Sequence, residues 1–147
     1  MIKLIQKLDH DVSFHATLSL PIDVRVRSRA RVQLDNGREA GLFLPRGNLL
    51  RSGDLLSDEA GFVVKVVAAN EDVSTVYCDD VLKLAKAAYH LGNRHVALQI
   101  ENGWLRYQQD AVLDKMVRLM GYEVIIESAP FEPEAGAYQQ QTHHQHD

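Results

Sequence analysis

Three of the seven histidines of this chain fall in its last five residues. They are His143, His144 and His146, in the run Thr142-His143-His144-Gln145-His146-Asp147. Imidazole is the commonest protein metal ligand, and a short His-rich tract reads as metal binding on composition alone. A purification-tag fragment or a merely solvated terminus would also account for it, although a designed tag is usually a longer unbroken run. The tract is too short and too polar to enter a core. Its chemistry therefore depends on whether the rest of the chain owns a metal site that it could serve.

His95 is the candidate for that site. In His95-Val96-Ala97-Leu98-Gln99-Ile100, strand alternation puts Val96, Leu98 and Ile100 on one face, under the helices. His95, Ala97 and Gln99 then point to an open face, so His95 is expected to be exposed near the start of a strand. One imidazole makes no tight site. A two-fold dimer apposing this surface would supply a pair on its axis, and the tails could complete the coordination. Imidazole suits Zn2+, Cu2+ and Ni2+, and spacing does not choose among them. His90 reads as a structural residue near a helix end, where imidazolium favours the helix dipole. His10 and His15 have no standard ligand spacing around them, and Cys78 reads as a small core residue on a strand.

Catalytic patterns are lacking. Gly92-Asn93-Arg94 is not a phosphate loop, and no nucleophile elbow occurs. A small hydrolase using Asn93 and Arg94 would need the missing loop. Asp110 and Asp114, four apart, read as one solvated helix face. Tyr77, Trp104 and Tyr107 could stack RNA bases, but the strand signature is missing and the charge has the wrong sign. The chain is therefore read as a binding protein and not an enzyme.

Charge supports that reading. The net charge is −4 over 147 residues. Residues 1–73 hold ten basic and ten acidic side chains, whereas residues 74–147 hold six and ten. An acidic C-terminal half disfavours nucleic acid and suits cations. No run of eighteen apolar residues could span a membrane. The N-terminus has no signal-peptide pattern, and one cysteine makes no internal disulfide. A cytoplasmic location is expected.

The elements that must position these residues have two grammars. Residues 1–73 read as a small all-β domain, a sandwich or barrel, with short strands and frequent turns. Ile2–Ile5, Val24–Arg27, Arg31–Leu34, Ala40–Leu44 and Phe62–Ala68 are the strand candidates. Asn36-Gly37 marks a hairpin whose two central residues would both need positive φ.

Residues 74–134 change period. A strand at Thr75–Cys78 leads to a helix capped by Asp79 or Asp80 and running through Tyr89. Its apolar stripe is Val81, Leu84, Ala85 and Ala88, and Gly92 is the expected stop. A hairpin follows, from His95–Glu101 through Asn102-Gly103 to Trp104–Gln108. Asp110 caps a second helix, with Leu113, Met116, Val117 and Met120 on one side and Gly121 at its end. Glu123–Ser128 is the last strand. The order βαββαβ is the ferredoxin-like arrangement, with one sheet face under two helices and the other open. Ala129–Gly136 then leaves the domain, and residues 135–147 read as a disordered His-containing tail. The fold class is α+β.

Three segments carry a family resemblance. They are Tyr89-His90-Leu91-Gly92-Asn93-Arg94-His95-Val96-Ala97-Leu98-Gln99-Ile100, Asp110-Ala111-Val112-Leu113-Asp114-Lys115-Met116, and Ala129-Pro130-Phe131-Glu132-Pro133-Glu134-Ala135-Gly136-Ala137-Tyr138. Gly-Asn-Arg-His followed at this spacing by Phe-Glu-Pro-Glu is specific, and the chain resembles the UreE urease accessory proteins, a nickel metallochaperone family. The resemblance implies a peptide- or protein-binding N-terminal domain and a ferredoxin-like metal-binding domain. It implies a cytoplasmic homodimer joined through the C-terminal domains, with His95 of both subunits on Ni2+ and the tail adding metal capacity. The implied partners are the urease apoprotein and the UreG GTPase. Some members carry two further histidines where this chain has Gln109 and Ala111, so internal sites built on those histidines are not expected here.

Overall fold

A computed structural model of the chain describes residues 1–136. It divides into two compact units at Ala69/Asn70, each with its own core.

The first unit contains β1 (Ile2–Leu4), β2 (Gln6–Lys7), β3 (Ala16–Leu20), α1 (Ile22–Arg25), β4 (Arg29–Gln33), β5 (Glu39–Phe43), β6 (Leu55–Ser57) and β7 (Val63–Ala68). They form a three-stranded sheet, β1-β5-β4, and a four-stranded sheet, β2-β6-β7-β3. Leu4 and Leu42 from the first sheet and Leu18 and Leu56 from the second are fully buried in one cluster. At about 1.5–3 kcal/mol per buried leucine side chain, this shared core binds the two sheets together. The expected all-β domain is thus present.

One of its expected strands is not. Val24–Arg27 lies in and just after the helical turn α1, which Pro21 opens at φ −72°. Four alternating residues fit either period, and burial decides between them. Ile22 and Arg25, three apart, are both fully buried. The Arg25 guanidinium donates to the carbonyls of Leu20 and Leu50, which a strand could not arrange. The hairpin at Asn36-Gly37 is present, but only Gly37 takes positive φ. The connection is longer than a two-residue turn, and Asn36 instead accepts the Arg38 N–H.

The second unit contains β8 (Asn70–Tyr77), α2 (Val81–Gly92), β9 (Gln99–Glu101), β10 (Trp104–Gln108), α3 (Ala111–Leu119) and β11 (Ile125–Pro130). The sheet order is β11-β8-β10-β9, antiparallel throughout. This is the ferredoxin-like βαββαβ topology. β8 is longer than the expected Thr75–Cys78, and Cys78 lies just past it, partly buried against the core.

Both helices begin on the expected side chains. Asp80 accepts the Lys83 N–H at 3.1 Å, and Asp110 accepts those of Val112 and Leu113. Each cap satisfies orphan donors and is worth about 1 kcal/mol. The buried stripe of α2 is Leu84, Ala87 and Leu91, while Val81 is 82% exposed and Ala85 is exposed as well. The sequence offered two apolar faces, and packing chose the one containing Leu91.

Candidate metal centre

His95 does not lie in a strand. The β pairing begins at Gln99, and His95 ends a turn after α2. Gly92, the expected stop, is still helical. The left-handed residue that stops the helix is His95 itself, at φ 58°, the only non-glycine with positive φ among the described residues. Its N–H donates to the Gly92 carbonyl at 2.9 Å, and the Val96 N–H to the Leu91 carbonyl at 3.4 Å. This pair of bonds is a Schellman motif with histidine in the place where glycine is usual. Val96 and Leu91 pack in the same core, the apolar contact that accompanies the motif. Left-handed backbone costs a non-glycine residue on the order of 1 kcal/mol, although histidine is among the residues enriched there.

The consequence is chemical. The backbone at His95 is fixed on both sides, and the residue is exposed. The expected exposure is therefore found, for a different reason from strand alternation. The imidazole stands at the C-terminal end of a helix, where unsatisfied carbonyls favour a cation. One described histidine is all the site has. No group of three or more His, Cys, Asp and Glu that could hold a metal occurs among the described residues. His143, His144 and His146 lie outside the described residues.

The other histidines among the described residues have local partners. His90 is exposed near the end of α2, edge-on to Tyr89. His15 Nδ1 accepts the Val63 N–H and its ring stacks on Phe62. His10 pairs with Asp9 on the surface.

Gln109, singled out in the sequence, bonds a buried carboxylate. Asp114 is not on a solvated face. It is 2% exposed, accepts the Tyr107 hydroxyl at 2.7 Å and takes a second bond from the Gln109 amide at 3.2 Å. Burial, and then the Asp114 carboxylate, hold the Tyr107 phenol well above its ordinary pKa. Ala111 opens α3 and offers no ligand atom.

The sheet face away from the helices is covered in part, with Tyr77 and Ile125 on it still exposed. Arg106 and Thr75, paired in register, are bonded to each other on it. Arg106 also stacks on Trp104 at 4.2 Å and reaches Glu127 and the Pro130 carbonyl. The Glu132 N–H donates to Gln99 Oε1 at 2.9 Å, and the Glu134 N–H to the Leu98 carbonyl at 2.7 Å. Residues 130–134 thus run back across the face that carries Arg106 and Gln99, ending beside Leu98. The sequence expected this segment to leave the domain. Its prolines and the alternate polar residues were the available signal.

Together these features describe a two-domain α+β protein with an exposed, backbone-fixed imidazole. Comparison with known proteins gives the family. The chain matches the model of the UreE urease accessory protein N-terminal domain over residues 2–69 and of its C-terminal domain over residues 71–147. It is 60% identical over 146 residues to the urease accessory protein UreE of Tolumonas auensis, covering 96% of this chain and 78% of the relative. The Pseudomonas putida W619 protein of the same name is 59% identical over 144 residues, covering 97% and 89%. That of Citrobacter koseri is 58% identical over 147 residues, covering 99% and 97%. The chain belongs to the UreE urease accessory protein family.

Proposed function

We propose that, within the role in urease maturation that family membership implies, the protein is a nickel metallochaperone. Ni2+ is its cargo, delivered to the urease apoprotein. His95 from each subunit of a homodimer forms the core of the site, and His143, His144 and His146 act as exchangeable ligands that collect the ion and hand it on. The observation that carries this reading is His95 held in left-handed backbone, exposed, at a helix C-terminus. A residue in that strained state points toward a functional reason for it.

A site built from His95 of two subunits and their tails is assembled from more than one piece of chain. Such a site can exchange ligands one at a time, which suits transfer better than storage. Exposed apolar side chains of the same unit, such as Val81 and Leu119, are available to a subunit contact. Copper and zinc compete for imidazole sites, and copper should outbind nickel. Selectivity would then rest with the receiving partner, the UreG GTPase by family resemblance. The location would be the cytoplasm. Among the described residues no helix is long and apolar enough to cross a membrane.

Equilibrium dialysis with Ni2+ tests this reading on the wild type, His95→Ala and a chain stopped after Tyr138. The expected result is a large loss of affinity in His95→Ala and fewer ions bound by the shortened chain. Unchanged binding by His95→Ala would remove the central claim.

A protein-binding adaptor is the second reading. It is favoured by an open cavity of about 790 Å³ in the first unit, lined by Ile2, Lys3, Ile5, Arg38, Glu39 and Glu59 among others. Removing residues 1–69 separates the two: an adaptor loses urease activation, while a metal carrier keeps much of it.

A further inference from the structure

In the first unit, β4 forms one edge of the three-stranded sheet β1-β5-β4. Val32 of β4, Ala40 and Leu42 of β5 and Leu4 of β1 all lie in the core. Strand alternation therefore turns Arg29, Arg31 and Gln33, with Phe43 and Lys3, to the outer face. The register puts Arg31, Gly41 and Lys3 in one row across the sheet, and Arg29 beside Phe43 in the next. The Phe43 ring lies over Gly41, where an added Cβ would stand 2.7 Å from its Cε2. Arg29 and Lys3 approach that ring to 5.4 and 5.8 Å from its centroid. No described carboxylate pairs with Lys3, Arg29 or Arg31. Glu39 is the only acidic residue in the three strands. The face is cationic around a single aromatic ring.

The backbone of this edge is open as well. The Leu34 N–H donates to the Arg38 carbonyl, and the Leu44 N–H to the Ser28 carbonyl. In an antiparallel pair, residues bonded in this way alternate with residues whose polar groups point away. Positions 28, 30, 32 and 34 thus bond β5, while Arg29, Arg31 and Gln33 direct their N–H and C=O groups to the free side. None of these outward groups has a hydrogen-bond partner among the described residues. The next outward N–H is closed. Asp35 donates it to the Thr17 carbonyl at 3.0 Å, and its carboxylate accepts the Ser19 N–H and the hydroxyls of Thr17 and Ser19. Asp35 thereby covers the edge of β3. No described residue does the same for β4 from Arg29 to Gln33. A row of unpaired strand groups is a template for pairing with another chain.

We propose that the β4 edge is a docking site for an extended acidic segment of a partner protein, which adds to the sheet as a fourth strand. Its backbone pairs with Arg29, Arg31 and Gln33. Every second side chain of an added strand falls on the outer face. Two carboxylates placed two residues apart then stand beside Arg29 and Arg31 as cross-strand pairs of opposite charge. The open backbone selects a polypeptide over nucleic acid, which has no strand to add, and a net charge of −4 disfavours nucleic acid further. Charges on an edge also guard against aggregation, but a guard has no need of one sign and recognises no ligand. The site uses neither His95 nor a metal. It stands apart from the nickel reading and gives the first unit a class of partner.

The test uses the full-length chain with no metal added. The probe is a short fluorescent peptide that alternates glutamate with valine. Its controls are a peptide of the same composition with the glutamates in one block, a lysine–valine peptide and a short single-stranded DNA. Fluorescence anisotropy reads affinity, and hydrogen exchange reads the Arg29, Arg31 and Gln33 amides. Arg29 and Arg31 are exposed, so Arg29→Gln/Arg31→Gln should melt as wild type does. Lys7→Gln/Lys65→Gln removes the same charge from the other sheet. The expected result is that the alternating peptide binds best and protects those three amides. Its binding should be about five-fold weaker in Arg29→Gln/Arg31→Gln and unchanged in Lys7→Gln/Lys65→Gln. Arg29→Glu/Arg31→Glu should prefer the lysine–valine peptide. Absence of binding would overturn the proposal and leave the arginines as an edge guard. Equal binding of the block peptide, binding without amide protection, or an equal loss in both glutamine variants would reduce the site to general charge attraction and overturn it too. Tighter binding of the DNA would replace the partner class.

Discussion

The two helices of the second unit end in the same hydrogen-bond pattern with opposite side chains. α3 closes on Gly121 at φ 96°, with the Gly121 N–H on the Arg118 carbonyl and the Tyr122 N–H on the Val117 carbonyl. α2 closes on His95 at φ 58° with the equivalent bonds. The end of α3 is also stitched down. Tyr122 donates its hydroxyl to the Lys83 carbonyl at 2.6 Å, and Arg118 donates to the Val124 carbonyl. The end of α2 presents an exposed imidazole instead. Glycine is the residue that chain physics favours at this position. Where it stands, the helix end serves the fold. Where histidine stands, the left-handed turn is made at a conformational cost that glycine would not incur.

The largest structural effect should come in α3, at Asp114 in its first turn. Asp114→Ala leaves the Tyr107 hydroxyl buried without its partner and should lower unfolding free energy by about 2 kcal/mol. Nickel affinity should stay unchanged, as read by denaturant melts and metal titration. Gly121→Ala comes next, at about 1–2 kcal/mol. No atom lies within 4 Å of the added Cβ, so the cost is conformational alone, and thermal melts measure it.

His95→Gly should behave in the opposite way. Relief of left-handed strain is offset by the greater freedom of the unfolded chain, leaving stability within about 0.5 kcal/mol of wild type. Metal binding should nonetheless be lost. A clear fall in stability in His95→Gly would break the comparison, because the histidine would then be holding the turn.

The smallest effect concerns acid. Hydrogen bonds from Thr75 and Tyr77 hold the Glu127 carboxyl below its ordinary pKa. A depressed folded-state pKa contributes stability above the unfolded value, and that contribution is lost as pH falls through the folded value. Glu127→Gln should therefore lose less stability than wild type on acidification below the ordinary carboxylate range. Melts of wild type and Glu127→Gln across that range check it.

Much of this was legible in the chain. Asp80 and Asp110 announced both helix starts, Gly121 announced one helix end, and the alternation of periods gave the ferredoxin-like order. What was hidden depended on tertiary partners. Gly92 looked like the stop for α2 because glycine is the default there, yet the buried position of Leu91 set the end of the helix and carried the left-handed turn on to His95. Asp114 looked solvated because a carboxylate on a helix usually is, and Tyr107 and Gln109 lie on other elements. Val24–Arg27 offered a pattern too short to fix a period. The exposed state of His95 was correct, but its cause, a helix stop instead of a strand face, was not in the local pattern.

The central claim is that His95 is held in left-handed backbone to present a metal ligand. Isothermal titration with Ni2+ tests it most directly, on wild type and His95→Gly at matched folded fraction. The account predicts a His95-dependent ion at about one per two chains, and a loss of at least about ten-fold in its affinity, or about 1.4 kcal/mol, in His95→Gly. An equal number of ions bound with equal affinity by His95→Gly would contradict it.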